Sequence, residues 1–311
     1  MIRRTVLRSA FALAATLLLS ATAQAQLFRA YLASDGNDAN ACTLAAPCRL
    51  LPAALTAVAS GGEIWMLDSA NYNTATVTIG KSVSILAIPG AVGSVVALGG
   101  PAISITAAGL TIALRNLVIV PLPASGATFG VYMTGASALT IEGSLIANLP
   151  SDGVRAAGTG KVEIANTIIR NNAGYAVWLQ NGASADISGT KLLNNDNGVV
   201  TFSNTATTTT ATVSDTIISG GGTGIYLLTA NADGVTRFFV TRCTIQNTNI
   251  ALDSQTTGAG TALLAVSNSM ITNNNFAWSQ SGTGSVIRTL GNNHLTDNTT
   301  NFGSLTLSPL Q

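Results

Sequence analysis

Apolar residues recur along most of this 311-residue chain in a pattern that repeats every 23–27 residues. Eight apolar anchor positions define the repeats, and a second apolar residue stands five places after each anchor. The anchors are Leu114, Ile141, Ile164, Ile187, Val213, Val240, Val266 and Leu290. Within each repeat, apolar and polar residues alternate with a period of two, which is typical of β-strands rather than helices.

The length of the repeat predicts how these strands are arranged. In "KVEIANTIIRNNAGYAVWL", residues 161–179, the bends "AN" and "NNAG" separate three short strands. Three strands in a repeat of this length predict an all-β fold, a single-stranded right-handed parallel β-helix of about nine coils. No coil can bury its inward face alone, so each strand is expected to pair with strands one coil above and below, at about 4.8 Å.

Polar residues also recur at fixed places in the repeat. Two places after the anchor stand mostly Asn, Gly and Asp, the types that accept left-handed backbone. Three places after it stand small residues that should face the core, where Cys243 replaces a hydroxyl as a buried structural thiol. Seven places after five anchors stand asparagines predicted to bond from coil to coil in a ladder. They are Asn148, Asn171, Asn194, Asn247 and Asn273.

The first 25 residues follow a different pattern. Three arginines precede an apolar run over residues 11–19, and the small residues of "ATAQA" end at Ala25. This order is typical of a secretory signal peptide cleaved after Ala25, and it is too short for a comfortable membrane anchor. We therefore expect export to the periplasm or the cell exterior. No other segment is long and apolar enough to predict a transmembrane helix.

Residues 26–62 are predicted to form an N-terminal cap, and residues 63–311 the β-helix. The cap would protect the end of the coil from edge pairing, and it should contain a short helix over about residues 52–59. Cys42 and Cys48 lie six residues apart in this segment. Export favours a disulfide between them over the alternative of metal binding.

Three segments of the sequence resemble one known superfamily. The opening "YLASDGNDANAC…PCRLLPAAL" is similar to that of exported bacterial right-handed parallel β-helix proteins of the pectin-lyase-like superfamily. The segments "GGEIWMLDSANYN…VTIGKSVSI" and "LGNNHLTDNTTNF" look like the same superfamily. The resemblance covers the whole mature chain and implies the β-helix fold. It implies no single activity, because members without an assigned activity stand beside polysaccharide-cleaving enzymes.

Composition narrows the class of partner. Charged residues make up 9% of the chain and hydrophobic ones 47%. Without the three arginines of the signal peptide, 11 basic side chains stand against 13 acidic ones, a net charge of −2. This balance predicts neither a nucleic acid nor an anionic membrane as a partner.

The resemblance also implies where catalytic residues would lie. Lyases of this fold hold Ca²⁺ with clustered aspartates and use an Arg or Lys base, and its pectin hydrolases use three aspartates. The corresponding strands here begin at Val131, Val154, Val177, Val199, Ile225 and Ile250. Their corners and outward positions offer Asp152, Arg155 and Asp196 as candidates. The two carboxylates are two coils, roughly 10 Å, apart, close to the range of an inverting pair.

This set of catalytic candidates is incomplete. A third carboxylate and a basic partner beside both aspartates are missing from the pattern. The only histidine, His294, lies near the C-terminal end and is predicted to be structural. No metal site is predicted, and Ca²⁺ is expected only if the protein is a lyase.

The outward positions of the same strands predict a different kind of site. Read up the coil, they are Trp65, Ser104, Tyr132, Arg155, Trp178, Val200, Tyr226, Ala251 and Trp278. This column holds all three tryptophans of a chain that is 5% aromatic. Rings on every second coil, about 10 Å apart, match the repeat of an extended disaccharide. The alternative interpretation is that the rings only stabilise the sheet or a protein contact.

The leading hypothesis is an exported, non-catalytic protein that binds an extended polysaccharide or cell-surface glycan without a cofactor. The predicted ligand-binding residues are Trp65, Tyr132, Arg155, Trp178, Tyr226 and Trp278. The alternatives are a polysaccharide lyase or glycoside hydrolase centred on Asp152, Arg155 and Asp196, and a structural or adhesive surface scaffold. The sequence leaves the oligomeric state open.

Overall fold

The computed structural model describes residues 26–308 as a stack of coils. Each coil contributes one strand to each of three parallel sheets, and neighbouring strands of a sheet come from consecutive coils. The predicted all-β fold, a parallel β-helix with three short strands per coil, is confirmed. The predicted signal peptide, residues 1–25, lies outside the described residues.

Sheet 1 contains twelve strands. They are Leu27–Leu32, Val58–Met66, Val83–Ala87, Thr111–Arg115, Ala138–Glu142, Lys161–Ala165, Ser184–Ser188, Thr208–Ser214, Val235–Thr241, Thr261–Ser267, Ser285–Thr289 and Leu305–Leu307. A helix, Leu51–Ala57, lies between the first two of these strands. Within residues 26–308, no helix is both long and apolar enough to cross a membrane.

Sheets 2 and 3 contain ten strands each. Those of sheet 2 are Ala70–Asn71, Gly93–Ala97, Leu117–Pro121, Leu145–Ala147, Ile168–Arg170, Lys191–Leu193, Ile217–Ser219, Thr244–Gln246, Met270–Thr272 and His294–Thr296. Those of sheet 3 are Val77–Thr78, Ile103–Ile105, Val131–Met133, Val154–Ala157, Tyr175–Gln180, Asn197–Ser203, Thr223–Thr229, Ile250–Thr256, Phe276–Ser281 and Thr300–Phe302. The first strand of each sheet has only two residues. Fuller coils follow, and the prediction of about nine coils is confirmed.

The hydrophobic core lies inside the coils, between the three sheets. The anchor residues and the apolar residues five places later are buried, as Ile164 and Ile169 illustrate. The inward side chains form one continuous cluster from Ala30 to Ile287. Burying apolar surface contributes roughly 25 cal/mol per Å² to the free energy of folding. Because the inward side chains are buried against those of the neighbouring coils, stacking stabilises each coil.

The bend between sheets 1 and 2 uses left-handed backbone, as the column two places after the anchors predicts. Asn116, Asn166 and Asn268 have φ values of 55°, 50° and 47°. Asp215 and Arg242 adopt the same conformation, each with a φ of 51°. Such a φ is uncommon outside Gly, Asn and Asp. An ion pair joins the two side chains across consecutive coils, with Arg242 Nη2 2.7 Å from Asp215 Oδ2.

A buried ladder of hydroxyl groups follows this bend, three places after the anchors. The backbone N–H of Thr167 donates to Thr190 Oγ1 at 3.4 Å, and that of Thr190 donates to Thr216 Oγ1 at 3.3 Å. Each hydroxyl in turn donates to the carbonyl two residues before it. Cys243 occupies the equivalent place one coil later, as predicted. Burial raises the pKa of its thiol to about 11.

Two asparagine ladders form at the corner between sheets 2 and 3. The predicted, exposed column adopts left-handed backbone and bonds between coils in places, as from Asn171 Nδ2 to Asn148 Oδ1 at 3.3 Å. A second ladder, buried and one residue further along, was not predicted. In it, Asn172 Nδ2 donates to Asn195 Oδ1 at 2.9 Å, and Asn195 Nδ2 donates to a backbone carbonyl. These bonds satisfy polar groups that the tight corner buries.

The N-terminal end of the coil is closed by the short helix and a disulfide. Helix Leu51–Ala57 overlaps the predicted helix, and Cys42 and Cys48 are bonded as predicted. Strand Leu27–Leu32 pairs with Val58–Met66 in parallel. The segment predicted as a cap therefore also extends sheet 1 by one strand.

Candidate functional site on sheet 3

Sheet 3 carries the predicted column of outward residues. The strand register aligns Tyr132, Arg155, Trp178, Val200 and Tyr226 on five consecutive strands. The placement of these five residues in one line agrees with the prediction, and the three aromatic rings stand on every second strand. Parallel strands lie about 4.8 Å apart, so consecutive rings are roughly 10 Å apart along the sheet.

Trp65 does not belong to this column, so the predicted column was wrong at its N-terminal end. Trp65 lies in strand Val58–Met66 of sheet 1, where it pairs with Leu86. The Trp65 ring stacks with Arg29, whose Cζ is 3.9 Å from the ring centroid. The rings of Trp65 and Tyr31 also meet in an edge-to-face arrangement. Outward residues alternate with inward ones on all three sheets, so the pattern did not reveal which sheet this strand joins.

The column was also wrong at its C-terminal end. Ile225 pairs with Leu252, so Asp253 rather than Ala251 follows Tyr226 in the column. Trp278 pairs with Leu252 and packs against the core, so it is not an outward residue of the column. The shift of two residues from Ala251 to Asp253 keeps the side chain on the same face of the strand, so the period-two pattern fitted the wrong register as well as the right one. Trp278 stands one residue before the true column position, Ser279, and a shift of one residue reverses the face.

Arg155 is enclosed by its neighbours. Its Cζ lies 3.9 Å from the Trp178 ring centroid and 5.2 Å from that of Phe129. Its Nε donates to Gln180 Oε1 at 3.2 Å, and Nη1 is 3.8 Å from Asp152 Oδ2. The side chain is 24% exposed. The guanidinium therefore stiffens the column between two rings instead of projecting freely from it.

Asp152 lies under this cluster, in the corner that leads into strand Val154–Ala157. Its side chain is 2% exposed, and Oδ1 accepts the backbone N–H of Tyr175 at 3.0 Å. Among the described residues, Oδ2 has no hydrogen-bond partner. Burial raises the pKa of the Asp152 carboxyl, while the Tyr175 N–H and the Arg155 charge oppose that rise.

Asp196 occupies a related corner two coils further on, but its surroundings differ. Tyr175 pairs with Asn197, so the position equivalent to Asp152 is Asn197, and Asp196 stands one residue earlier. Asp196 is exposed, and its Oδ2 accepts Asn197 Nδ2 at 2.8 Å. The structure therefore does not make Asp152 and Asp196 a matched pair.

Tyr175 lies between the two acidic corners, and sequence reasoning missed it. Its ring meets the Trp178 ring edge-on, with centroids 4.7 Å apart. Burial and the charges of Asp152 and Asp196 raise the pKa of its phenol. The phenol therefore stays protonated at neutral pH and can donate a hydrogen bond. The signal available in the sequence was its position three residues before Trp178, since Phe129 likewise stands three before Tyr132.

Asp253 is the other column residue that sequence reasoning missed. It is 4% exposed, and its Oδ2 accepts Gln255 Nε2 at 2.8 Å. Its Oδ1 lacks a hydrogen-bond partner within residues 26–308. Burial raises the pKa of Asp253, and burial followed by the Asp253 charge raises the pKa of Tyr226 to about 12. Tyr226 donates its hydroxyl to Gln255 Oε1 at 3.4 Å.

The remaining polar candidates lie elsewhere. His294 is exposed on sheet 2, where it pairs with Met270. Across residues 26–308, no three or more His, Cys, Asp or Glu side chains group in a way that would hold a metal ion.

Comparison with known proteins supports the fold. A family profile described as periplasmic copper-binding protein (NosD) matches residues 100–238. The structure is similar to that of pectate lyase Pel9A, with a TM-score of 0.62, 16% identity, and coverage of 90% of this chain and 77% of the lyase. The chain is a parallel β-helix protein whose fold is similar to that of this pectate lyase.

Other solved structures match with lower TM-scores. A rhamnogalacturonan lyase has a TM-score of 0.45 at 12% identity, with 84% of this chain and 72% of that one covered. A lacto-N-biosidase from Eubacterium ramulus has a TM-score of 0.42 at 11% identity, with 91% and 68% covered. No curated protein matches this β-helix chain.

Proposed function

We propose that this protein binds an extended polysaccharide along sheet 3 without cleaving it. The observation that carries the proposal is the register of Tyr132, Trp178 and Tyr226, which stand in one column on every second strand. All three side chains are partly exposed. Rings spaced by two strands, roughly 10 Å, match the repeat of a disaccharide, and aromatic faces suit the C–H faces of pyranoses.

Contacts within the cluster favour binding over cleavage. A lyase base must be free to take a proton from the substrate, whereas Arg155 is stacked on Trp178 and bonded to Gln180. The two aspartates differ in exposure and stand in different registers. Their arrangement does not match the paired carboxylates of a glycosidase.

Polysaccharide cleavage is the second candidate, and one observation favours it. Asp152 is a buried acid with a raised pKa beside Arg155, which is the kind of environment that tunes general acids. The fold is also that of pectate lyase Pel9A. A lyase of this fold would need Ca²⁺, but Asp152 is buried and Asp196 is exposed in a different register, so these two residues do not form a site for it. Incubation with pectate, alginate and neutral glycans, followed by ultraviolet absorbance of unsaturated ends and by reducing-end assays, separates cleavage from binding.

Copper binding, which the matching profile's description names, does not fit the residues of this chain. Copper sites are built mainly from His, Cys and Met. Residues 100–238 contain no His and no Cys, and their only Met, Met133, is buried in the core. Beyond the matched segment, Cys243 is buried, and the exposed His294 has only Met270 of these residue types as a neighbour in its strand pairing, which is fewer than the three ligands of a His₂Cys copper site. We therefore assign no copper-dependent step.

Export is part of the proposal. The disulfide between Cys42 and Cys48 is typical of an oxidising compartment, and the matching profile is described as periplasmic. We expect the mature protein to act in the periplasm or outside the cell. Mass spectrometry of the N-terminus of protein recovered from each fraction measures both the compartment and the cleavage after Ala25, and an intact Met1 in the cytoplasm would contradict export.

The decisive experiment is a glycan-binding screen of the mature protein followed by calorimetry. Trp178→Ala combined with Tyr226→Ala should weaken binding at least tenfold, because two of the three column rings are lost. Trp65→Ala is the matched control, since it removes an equally large ring from sheet 1. Circular dichroism and Tm verify that each variant folds. Unchanged affinity in the double variant, or equal losses in both variants, would refute the role of the column.

A further inference from the structure

The charges around the column are unevenly distributed. Sheet 3 and the corners that lead into it carry a single cation within residues 26–308, Arg155. The same region carries four carboxylates, of which Asp196 and Asp297 are exposed and Asp152 and Asp253 are buried. The other basic side chains lie on sheets 1 and 2 or the bend between them, in the cap, or in the corner after the first sheet-3 strand.

The one cation is already engaged. Its Nε donates to Gln180 Oε1, Nη1 faces the Asp152 carboxylate, and the guanidinium lies near the rings of Trp178 and Phe129. A carboxylate on a ligand would therefore meet a guanidinium whose charge Asp152 already offsets.

The far end of the column is acidic and has no cation. Four strand spacings, roughly 19 Å, separate Arg155 from Asp253 along the sheet. A polyuronate lying there would bring one carboxylate with each sugar towards the exposed Asp196 and Asp297. Charges within about 10 Å repel one another at ordinary ionic strength, so such a ligand loses affinity.

Neutral sugars meet no such repulsion, and the column offers them suitable partners. Gln180 and Gln255 carry amides that both donate and accept hydrogen bonds, and Tyr175 and Tyr226 carry protonated phenols. Ser279 adds a hydroxyl beside Asp253 in the next strand. These groups match the hydroxyls and ring oxygens of uncharged pyranoses.

From this geometry we infer that the polysaccharide bound on sheet 3 is uncharged, not a uronate or a sulfated glycan. The inference rests on the proposed function, which provides the binding column itself. It distinguishes this protein from relatives of the same fold that bind pectate through Ca²⁺ held by clustered aspartates, because residues 26–308 contain no such cluster.

The test compares hexasaccharides of equal length by calorimetry on the mature protein. Neutral probes are cellohexaose, mannohexaose and chitin hexaose, and charged probes are hexagalacturonate, hexaguluronate and chitosan hexaose. At 20 mM NaCl the best neutral probe should bind at least tenfold more tightly than either hexauronate. The difference should shrink at 200 mM NaCl, since salt screens the repulsion.

A charge reversal sharpens the test. Asp196 is exposed, so Asp196→Lys should fold and should raise the ratio of hexauronate to neutral affinity at least fivefold at 20 mM NaCl. Asp233→Lys, in an exposed corner after sheet 3, has the same charge change and should leave that ratio near its wild-type value. A hexauronate or chitosan hexaose that binds wild-type protein more tightly than every neutral probe would overturn the inference but keep the binding column. Binding to none of the probes would overturn the proposed function and the inference with it.

Discussion

At the scale of single residues, small polar groups inside the coil matter as much as apolar ones. The buried hydroxyls of Thr167, Thr190 and Thr216 accept backbone N–H groups of the preceding coil and donate within their own. An unsatisfied buried polar group costs about 1–3 kcal/mol. The hydroxyl ladder therefore explains why Ser and Thr recur at core positions of an otherwise apolar interior.

This ladder gives a stability prediction. Thr190→Val keeps the shape of the side chain but removes the acceptor of the Thr167 N–H, so the free energy of unfolding should fall by about 1–3 kcal/mol. Thr212→Val is the matched control, because Thr212 lies on the outward face of sheet 1, and it should change stability by about 0.5 kcal/mol or less. Urea unfolding followed by circular dichroism measures both, and equal effects would contradict a structural role of the hydroxyl.

The buried acid Asp253 gives a pH-dependent prediction. Burial raises its pKa in the folded state. Between a pH of about 4, where the unfolded chain loses this proton, and the raised pKa, the folded protein still holds it. Stability contributed by this group therefore falls as the pH rises through the raised pKa. Asp253→Asn should have a higher Tm than wild type at pH 7, with the gain shrinking towards pH 4. A gain of equal size at both pH values, or none, would contradict this. Asp233→Asn is the exposed control.

At the scale of elements, each strand must present the correct face to the core. The three-residue strand Ile168–Arg170 illustrates this requirement. Ile169 is buried, whereas its neighbour Ile168 is 37% exposed on the outside of sheet 2. The same residue type therefore serves two environments one position apart. The register with the strands above and below, and not the side chain itself, decides which environment each residue meets.

Adjacent substitutions test this register directly. Ile169→Asp would bury an unpaired carboxylate, which costs several kcal/mol, and should prevent folding. Ile168→Asp places the same charge in contact with water and should leave a folded protein with a slightly lower Tm. Circular dichroism and size-exclusion chromatography compare the two variants. Native melting of Ile169→Asp would show that the inward face is assigned incorrectly.

At the scale of the whole molecule, the protein behaves as a stack in which each coil contacts only its neighbours. Residues 161–183 form one such coil of 23 residues, and Lys161 pairs with Ser184 in the next coil. Removing the coil would bring residue 160 directly before Ser184, with every later residue still in register. The stability of such a stack is approximately a sum over coils and their interfaces.

Deletion of residues 161–183 should therefore give a folded protein with a modestly lower Tm and a cooperative unfolding transition. It should also abolish glycan binding, because Trp178 is lost and Arg155 would then face Val200. Deleting residues 161–172 removes half a coil, breaks the register and should yield an unfolded chain. A folded half-coil variant, or an unfolded full-coil variant, would contradict the independence of the coils.

The fold was predictable from the sequence because each coil repeats the same pattern of apolar, small and turn-forming residues. The inward apolar positions, the left-handed bends at Asn116 and Asn166, and the hydroxyl column that includes Cys243 all follow from repeated spacing. The disulfide between Cys42 and Cys48 was also expected from the sequence. The column on sheet 3 was predictable from Tyr132 to Tyr226, because an inward Val or Ile precedes each of its residues and marks the register. After Tyr226, Ile250 and Leu252 stand two residues apart and offer two registers, of which the structure adopts the second.

The sequence alone therefore determined the strand period, the stacking of coils and the central part of the column. Only the tertiary structure decided which residues stand at the ends of that column: Trp65 and Trp278 lie outside it, and Asp253 belongs to it. It also decided that Asp152 is buried while Asp196 is exposed, and that Arg155 lies between two rings. The physical reason is that alternation fixes which face a side chain occupies, whereas the length of each corner fixes which neighbours it meets. A two-residue slip, as from Ala251 to Asp253, changes only the neighbours, and a one-residue slip, as at Trp278, also reverses the face.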